Sequence, residues 1–158
     1  MRFNLIDKIT ELQPGVAVKA VKCLSLAEEY LSDHFPLFPV MPGVLMLEAM
    51  YQGSSWLLRC TDEFAYSMVV MSEAKNVKYA DFVRPGQTLE ITAEIQKREN
   101  HATTLKAAGT LDGATAVSGR LTLEHYNLAD RDDSFAETDQ YLRGAMRAQF
   151  ERLYRPYL

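Results

Sequence analysis

Cysteine is scarce in this chain: Cys23 and Cys60 are the only two, and neither belongs to a set of residues at metal-ligand spacing. A disulfide framework and a thiolate zinc site are thereby excluded, and both read as reduced thiols of a cytosolic protein. Positive charge is also short, with 17 Lys and Arg against 21 Asp and Glu and a net charge of -4. General attraction to nucleic acid is excluded, because phosphate binding needs a surplus or a patch of cations. Long apolar runs are missing too. The longest, Phe35 to Leu58, is interrupted by Pro36, Pro39, Pro42, Glu48 and Gln52, whereas a membrane helix takes about 20 predominantly apolar residues. Asp7 and Lys8 break the apolar centre that a secretory signal would need, so the expected location is cytoplasmic. There is no GxSxG, no HExxH and no glycine-rich phosphate loop, which removes serine hydrolases, zinc enzymes and nucleotide sites from consideration. No cofactor is expected.

What is present is a chain of 158 residues, 47% hydrophobic, long enough for one cored domain and too short for two. Residues 7–13 and 16–26 predict a hairpin around Pro14-Gly15. "SLAEEYL", 25–31, predicts a helical turn, with Ser25 and Glu28 as a capping box. From Gly43 to Arg59 apolar residues surround the axis, the mark of a buried helix, with Gly53 its one strong breaker. "YSMVVMSEAKNVKY" has strand composition and "RPGQ" is a turn. In 88–97, Leu89, Ile91, Ala93 and Ile95 alternate with polar residues, the clearest strand pattern of the sequence. Two further strands, 102–111 and 115–126, are joined by Asp112-Gly113, suited to a type I′ turn. Beyond an acidic segment, Tyr141, Leu142, Ala145, Met146, Gln149, Phe150, Leu153 and Tyr154 recur at helical spacing and predict an amphipathic helix that packs on the sheet. The class is α+β: an antiparallel sheet wrapped around a central buried helix, with a C-terminal helix.

The stretch "HFPLFPVMPGVLMLEAMYQ" resembles the active-site segment of 3-hydroxyacyl-acyl carrier protein dehydratases, which have the hotdog fold. The match includes His34-Phe35-Pro36, Pro39-Val40-Met41-Pro42-Gly43, Leu45, Glu48-Ala49 and Gln52. Weaker likeness runs from about Ile6 to Leu128, so that residues 1–128 are expected to form the hotdog domain and 129–158 a helical extension of it. The resemblance implies dehydration of a 3-hydroxyacyl thioester to the trans-2-enoyl form. It assigns the oxyanion-binding N–H to Gly43 and the acceptor for the histidine's second nitrogen to the Val40 carbonyl.

The residue types suit that chemistry. A histidine titrates near neutrality and can take the α-proton. A carboxyl on an apolar helix is held in its protonated form and can release the hydroxyl as water, which is the role expected of Glu48. Pro at the first helical position, Pro42, followed by Gly43 leaves backbone N–H groups free for a developing oxyanion. Gln52, one turn beyond Glu48, can hold its carboxyl by a hydrogen bond.

Relatives of this kind share sites across a subunit boundary, so the resemblance implies that His34 meets Glu48 of a homodimer mate, with a trimer of dimers as the alternative assembly. The implied partner, acyl carrier protein, is acidic, and Lys75, Lys78, Arg84, Lys97 and Arg98 are the candidates to meet it. The chain departs from the family at Asp33, Leu37, Phe38 and Tyr51, where small or polar residues are usual, and chain-length preference is the property these would alter. His101 and His125 are expected at a strand end or turn without a chemical role. A coenzyme A substrate, a hotdog thioesterase and a non-catalytic acyl-binding subunit are the alternative readings.

Overall fold

A computed structural model describes residues 3–155. Six strands, β1 (Lys8–Gln13), β2 (Ala17–Cys23), β3 (Met68–Tyr79), β4 (Thr88–Arg98), β5 (Ala102–Leu111) and β6 (Ala114–Tyr126), form one sheet in the order β1-β2-β4-β5-β6-β3. Every pairing is antiparallel. Helix α1 (Gly43–Thr61) packs against the inner face of this sheet, which is the hotdog arrangement. The alternation in β4 is decisive for which face is inner: Leu89, Ile91 and Ala93 are buried beneath α1 while Thr88, Glu90 and Glu94 face out. Leu105, Ala107, Val117, Leu121 and Leu123 extend the same apolar surface through β5 and β6.

α1 does not break at Gly53. A Cβ there would stand 3.1 Å from Cγ2 of Ile91, so the glycine marks the closest approach of helix to sheet, and its helical cost of about 1 kcal/mol is offset by packing. The type I′ turn forms as expected, with positive φ at both Asp112 and Gly113. Strand β3 lies at one edge and carries two register shifts against β6, between Met71 and Glu73 and between Lys75 and Lys78.

Two local expectations fail. The turn before the proline loop is a short 3-10 helix, Glu29–Ser32, that starts after Glu28. Ser25 Oγ accepts from the Ala27 N–H at 3.1 Å. Glu28 closes no capping box, because its carboxylate is taken by the ammonium of the buried Lys22, which also lies 3.7 Å from Asp7. A desolvated cation outcompetes an exposed N–H for a carboxylate. In the tail, α2 (Ala136–Leu153) follows two single 3-10 turns, Leu128–Asp130 and Asp133–Phe135. Met146, Phe150, Leu153 and Tyr154 pack on the core, but Tyr141, assigned to the same stripe, is 74% exposed.

The start of α2 is pinned by Asp139. This buried carboxylate accepts from the Leu128 and Ala129 N–H groups at 3.0 and 2.8 Å and from the Ser67 hydroxyl. Burial works to raise its pKa, and these three donors, with Arg143 nearby, outweigh burial and hold it below the usual carboxylate value. Among the described residues no helix is long and apolar enough to cross a membrane.

Candidate active site

The sequence places Pro42 inside the helix; the structure places it one position earlier, as the residue capping α1, with extended ψ of 136°. Its carbonyl accepts from the N–H groups of Leu45 and Met46 at 2.9 and 3.2 Å. Gly43 is therefore the first helical residue, and its N–H has no partner among the described residues. Such orphan donors at the positive end of a helix dipole are suited to an oxygen that gains charge. A Cβ at Gly43 would meet the Tyr79 ring at 3.1 Å. Only glycine lets the end strand β3 close on this helix start while leaving the N–H accessible.

His34 belongs to the loop that leads into α1. Its Nδ1 lies 3.0 Å from the Val40 carbonyl, and the Val40 N–H donates to the His34 carbonyl, also at 3.0 Å. Phe35 and Phe38 exchange a second reciprocal pair of backbone bonds, and the Met41 N–H donates to the Val83 carbonyl at 2.8 Å. The loop is thus held by its own backbone and by the connection between β3 and β4. Because Nδ1 faces a carbonyl it carries the proton, and Nε2 is left with its lone pair. The ring is half-buried and stacks on Phe35 at 4.3 Å.

Glu48 lies in the second turn of α1, five residues beyond Gly43. Gln52 Nε2 donates to Glu48 Oε1 at 2.9 Å, while Gln52 Oε1 accepts from the Leu5 N–H at 2.8 Å. The second bond decides the first: with its oxygen committed to Leu5, Gln52 can present only its NH2 to the carboxyl. No local pattern points to Leu5, 47 residues before Gln52, as the group that orients this amide. Glu48 is half-buried rather than enclosed, and lines a cavity of ≈ 230 Å³ with Tyr51, Gln52, Ser55, Trp56 and Arg59 under Met146 and Gln149 of α2. Tyr51, one of the departures from the family pattern, donates its hydroxyl to the Val69 carbonyl at 2.7 Å. Burial pushes its phenol pKa up, so it stays protonated.

His34 does not line this cavity and shares no hydrogen bond with Glu48 in the single chain. Around the histidine loop the surface is apolar and open: Phe35, Phe38, Val44, Tyr79 and Phe82 are exposed and Leu37 is 100% exposed. Of the five basic candidates, Lys75, Lys97 and Arg98 are paired with Glu73, Glu99 and Asp62. Lys78 has no carboxylate partner among the described residues, and Arg84 lies over the Phe38 ring at 5.2 Å. His125, next to last in β6, is 1% exposed, and neither ring nitrogen has a hydrogen-bond partner among the described residues. It packs against Tyr66 and His101 at 4.6 and 6.5 Å between ring centroids. Burial lowers its pKa, with Arg98 and His101 adding to that and Asp62 opposing. Cys23 is exposed and Cys60 half-buried, both as free thiols.

Comparison with known proteins adds to this geometry. Residues 1–120 match the family model described as FabA-like domain. A 3-hydroxyacyl-[acyl-carrier-protein] dehydratase FabZ from Ruminiclostridium cellulolyticum is 34% identical over 119 residues, covering 75% of this chain and 84% of that one. The protein of the same name from Latilactobacillus sakei is 37% identical over 118 residues, with 75% and 84% covered. Among solved structures, the dehydratase heterocomplex ApeI:P from Xenorhabdus doucetiae superposes with a TM-score of 0.67 at 17% identity, covering 84% of this chain and 90% of the other. The smu.793 protein of Streptococcus mutans, solved bound to acetyl CoA, does so with a TM-score of 0.61 at 13% identity, covering 79% and 91%.

Proposed function

The chain belongs to the FabA-like domain family, and from that premise we propose that it removes water from a 3-hydroxyacyl thioester on acyl carrier protein, giving the trans-2-enoyl thioester in fatty acid synthesis. The observation that carries the reading is the opposite anchoring of two groups. The Val40 carbonyl fixes the proton of His34 on Nδ1 and leaves Nε2 basic, while Gln52, oriented by Leu5, holds the carboxyl of Glu48.

Nε2 of His34 takes the proton from C2. The C2–H electron pair becomes the C2=C3 double bond as the C3–O bond breaks, and Glu48 gives its proton to the departing hydroxyl, which leaves as water. Negative charge that builds on the thioester oxygen is met by the Gly43 N–H and the positive end of α1. The histidine ends the step with one proton gained and the glutamate with one lost, and transfer through water resets both.

The active unit is a homodimer in which His34 of one subunit completes the site of Glu48 in the other. Supporting this, His34 is absent from the cavity that Glu48 lines, and the loop that carries it is flanked by exposed Phe35, Leu37, Phe38 and Phe82. Such a patch is suited to burial against a second copy. Carrier docking falls to Lys78 and Arg84, the two basic candidates with no carboxylate partner among the described residues, at the edge beside this loop. The location that fits is the cytoplasm.

Incubation with 3-hydroxyacyl carrier protein, followed by enoyl absorbance beside free thiol, tests the activity: enoyl without thiol is expected. Thiol with the hydroxyl intact would make the chain a thioesterase, and neither signal from a folded dimer would make it an acyl-binding subunit. Mixing inactive His34→Ala and Glu48→Gln proteins is expected to restore part of the activity through hybrid dimers. No recovery after verified subunit exchange would place both groups in one subunit.

A further inference from the structure

Glu48, Gln52, Ser55 and Arg59 recur at intervals of four, three and four residues and line one cavity. They make a polar stripe along a helix whose other faces are apolar, over about 16 Å at 1.5 Å per residue. Arg59 closes the far end. It is 9% exposed, and Nη1 donates to the Tyr66 and Ser67 carbonyls at 3.3 and 3.2 Å. Among the described residues no carboxylate lies within ion-pair distance of it, and Nε and Nη2 have no acceptor. Neither nitrogen is among the sealed, unpartnered atoms of the interior, and Arg59 is one of the residues that line the cavity. Burial lowers the guanidinium pKa, yet arginine stays charged at any physiological pH.

A buried cation with no counter-ion is costly, and anchoring the end of α1 to two carbonyls needs no charge, since a neutral donor of similar length serves. With Nη1 occupied, the free edge is Nε with Nη2, the side-on fork that takes a carboxylate through two parallel bonds. Among the described residues the only carboxylate lining the cavity is Glu48, three turns away at the reacting end. The volume of ≈ 230 Å³ lies below the ~300–1,000 Å³ of drug-sized sites, which suits a single short chain.

We propose that Arg59 is a specificity residue that receives a carboxylate at the distal end of the acyl chain, so that the preferred substrate is a 3-hydroxyacyl thioester ending in a carboxylate rather than a methyl group. This rests on Glu48 being the acid of a dehydratase. A methyl-ended chain leaves the guanidinium desolvated and unpaired, and a site whose buried polar group loses its partner discriminates steeply. Ser55, between the two ends, tolerates the polar chain as it enters.

The test uses pairs of 3-hydroxyacyl thioesters of graded chain length, identical except for a carboxylate or methyl terminus. Wild type is expected to favour the carboxylate in kcat/KM by about 100-fold or more. Arg59→Met should abolish or reverse that ratio, and Arg59→Lys should keep part of it. Because the ratio is taken on one protein sample, loss of folded fraction affects both substrates alike. Equal or better turnover of the methyl substrates by wild type overturns the proposal and leaves the dehydratase reading intact. If neither is dehydrated, the dehydratase reading fails, and calorimetric binding of the two acyl carriers to wild type and Arg59→Met decides Arg59 alone: equal affinities overturn it, and a carboxylate preference lost in the variant supports it.

Discussion

The loop around His34 and the strand end around His125 place the same side chain in two opposed settings. His34 is half-exposed, tied through Nδ1 to a carbonyl, and surrounded by apolar groups that point to solvent. His125 is sealed against Tyr66 and His101 with both nitrogens unbonded. One ring has a fixed tautomer and a reachable lone pair; the other has neither. Chemistry at a histidine needs a partner that assigns the proton as well as access for substrate, and burial alone supplies only packing.

The largest effect that can break this contrast comes from His34→Ala. Turnover is expected to fall by about 10²–10⁴-fold with the thermal unfolding midpoint nearly unchanged, whereas His125→Phe should keep turnover and move the midpoint. Equal losses of activity in both variants, measured on dimers of wild-type mass, would erase the distinction. A smaller effect follows from the surroundings of the loop. Leu37→Asp combined with Phe82→Asp should shift the chain from dimer to monomer in sedimentation, with activity falling more than tenfold, about 1.4 kcal/mol, and far-UV circular dichroism unchanged. A fully active monomer would place the complete site within one chain.

The smallest effect concerns acid. His125 has a folded pKa below its ordinary value of about 6.5, so folded and unfolded chains are equally neutral above that pH and the residue adds no pH dependence there. As pH falls below about 6.5 the unfolded chain takes the proton first, and stability declines until the folded pKa is passed, by at most about 1.4 kcal/mol per unit. Denaturant titrations at pH 7, 6 and 5 should show this decline in wild type and a shallower one in His125→Phe. Identical slopes would assign the decline to other groups.

Much of this was legible in the residues. The alternation of Leu89, Ile91 and Ala93, the Asp112-Gly113 turn and the long helix from Gly43 each follow from a local period or a local steric preference, and each is present. The segment from His34 to Gln52 carries most of the proposed site because loop, helix start and carboxyl are consecutive in the chain. What escaped depends on distant partners. Leu5 orients Gln52 from 47 residues away, Glu28 abandons a cap for Lys22, and Asp139 fastens α2 through Ser67, 72 residues apart. Arg59 escaped for a different reason: a single arginine near a helix end is an ordinary feature until its surroundings show which of its nitrogens are in use.

The cavity beside Glu48 has a division of origin. Its floor comes from α1, inside residues 1–120, while Met146 and Gln149 of its roof come from α2, outside them. A substitution in the roof reshapes the space without displacing a reacting atom, and Asp139 keeps that roof registered on the sheet whatever the composition of its outer face. Two stretches of one chain can therefore diverge at different rates, the first held by the reaction and the second free to follow the shape of what is available to it.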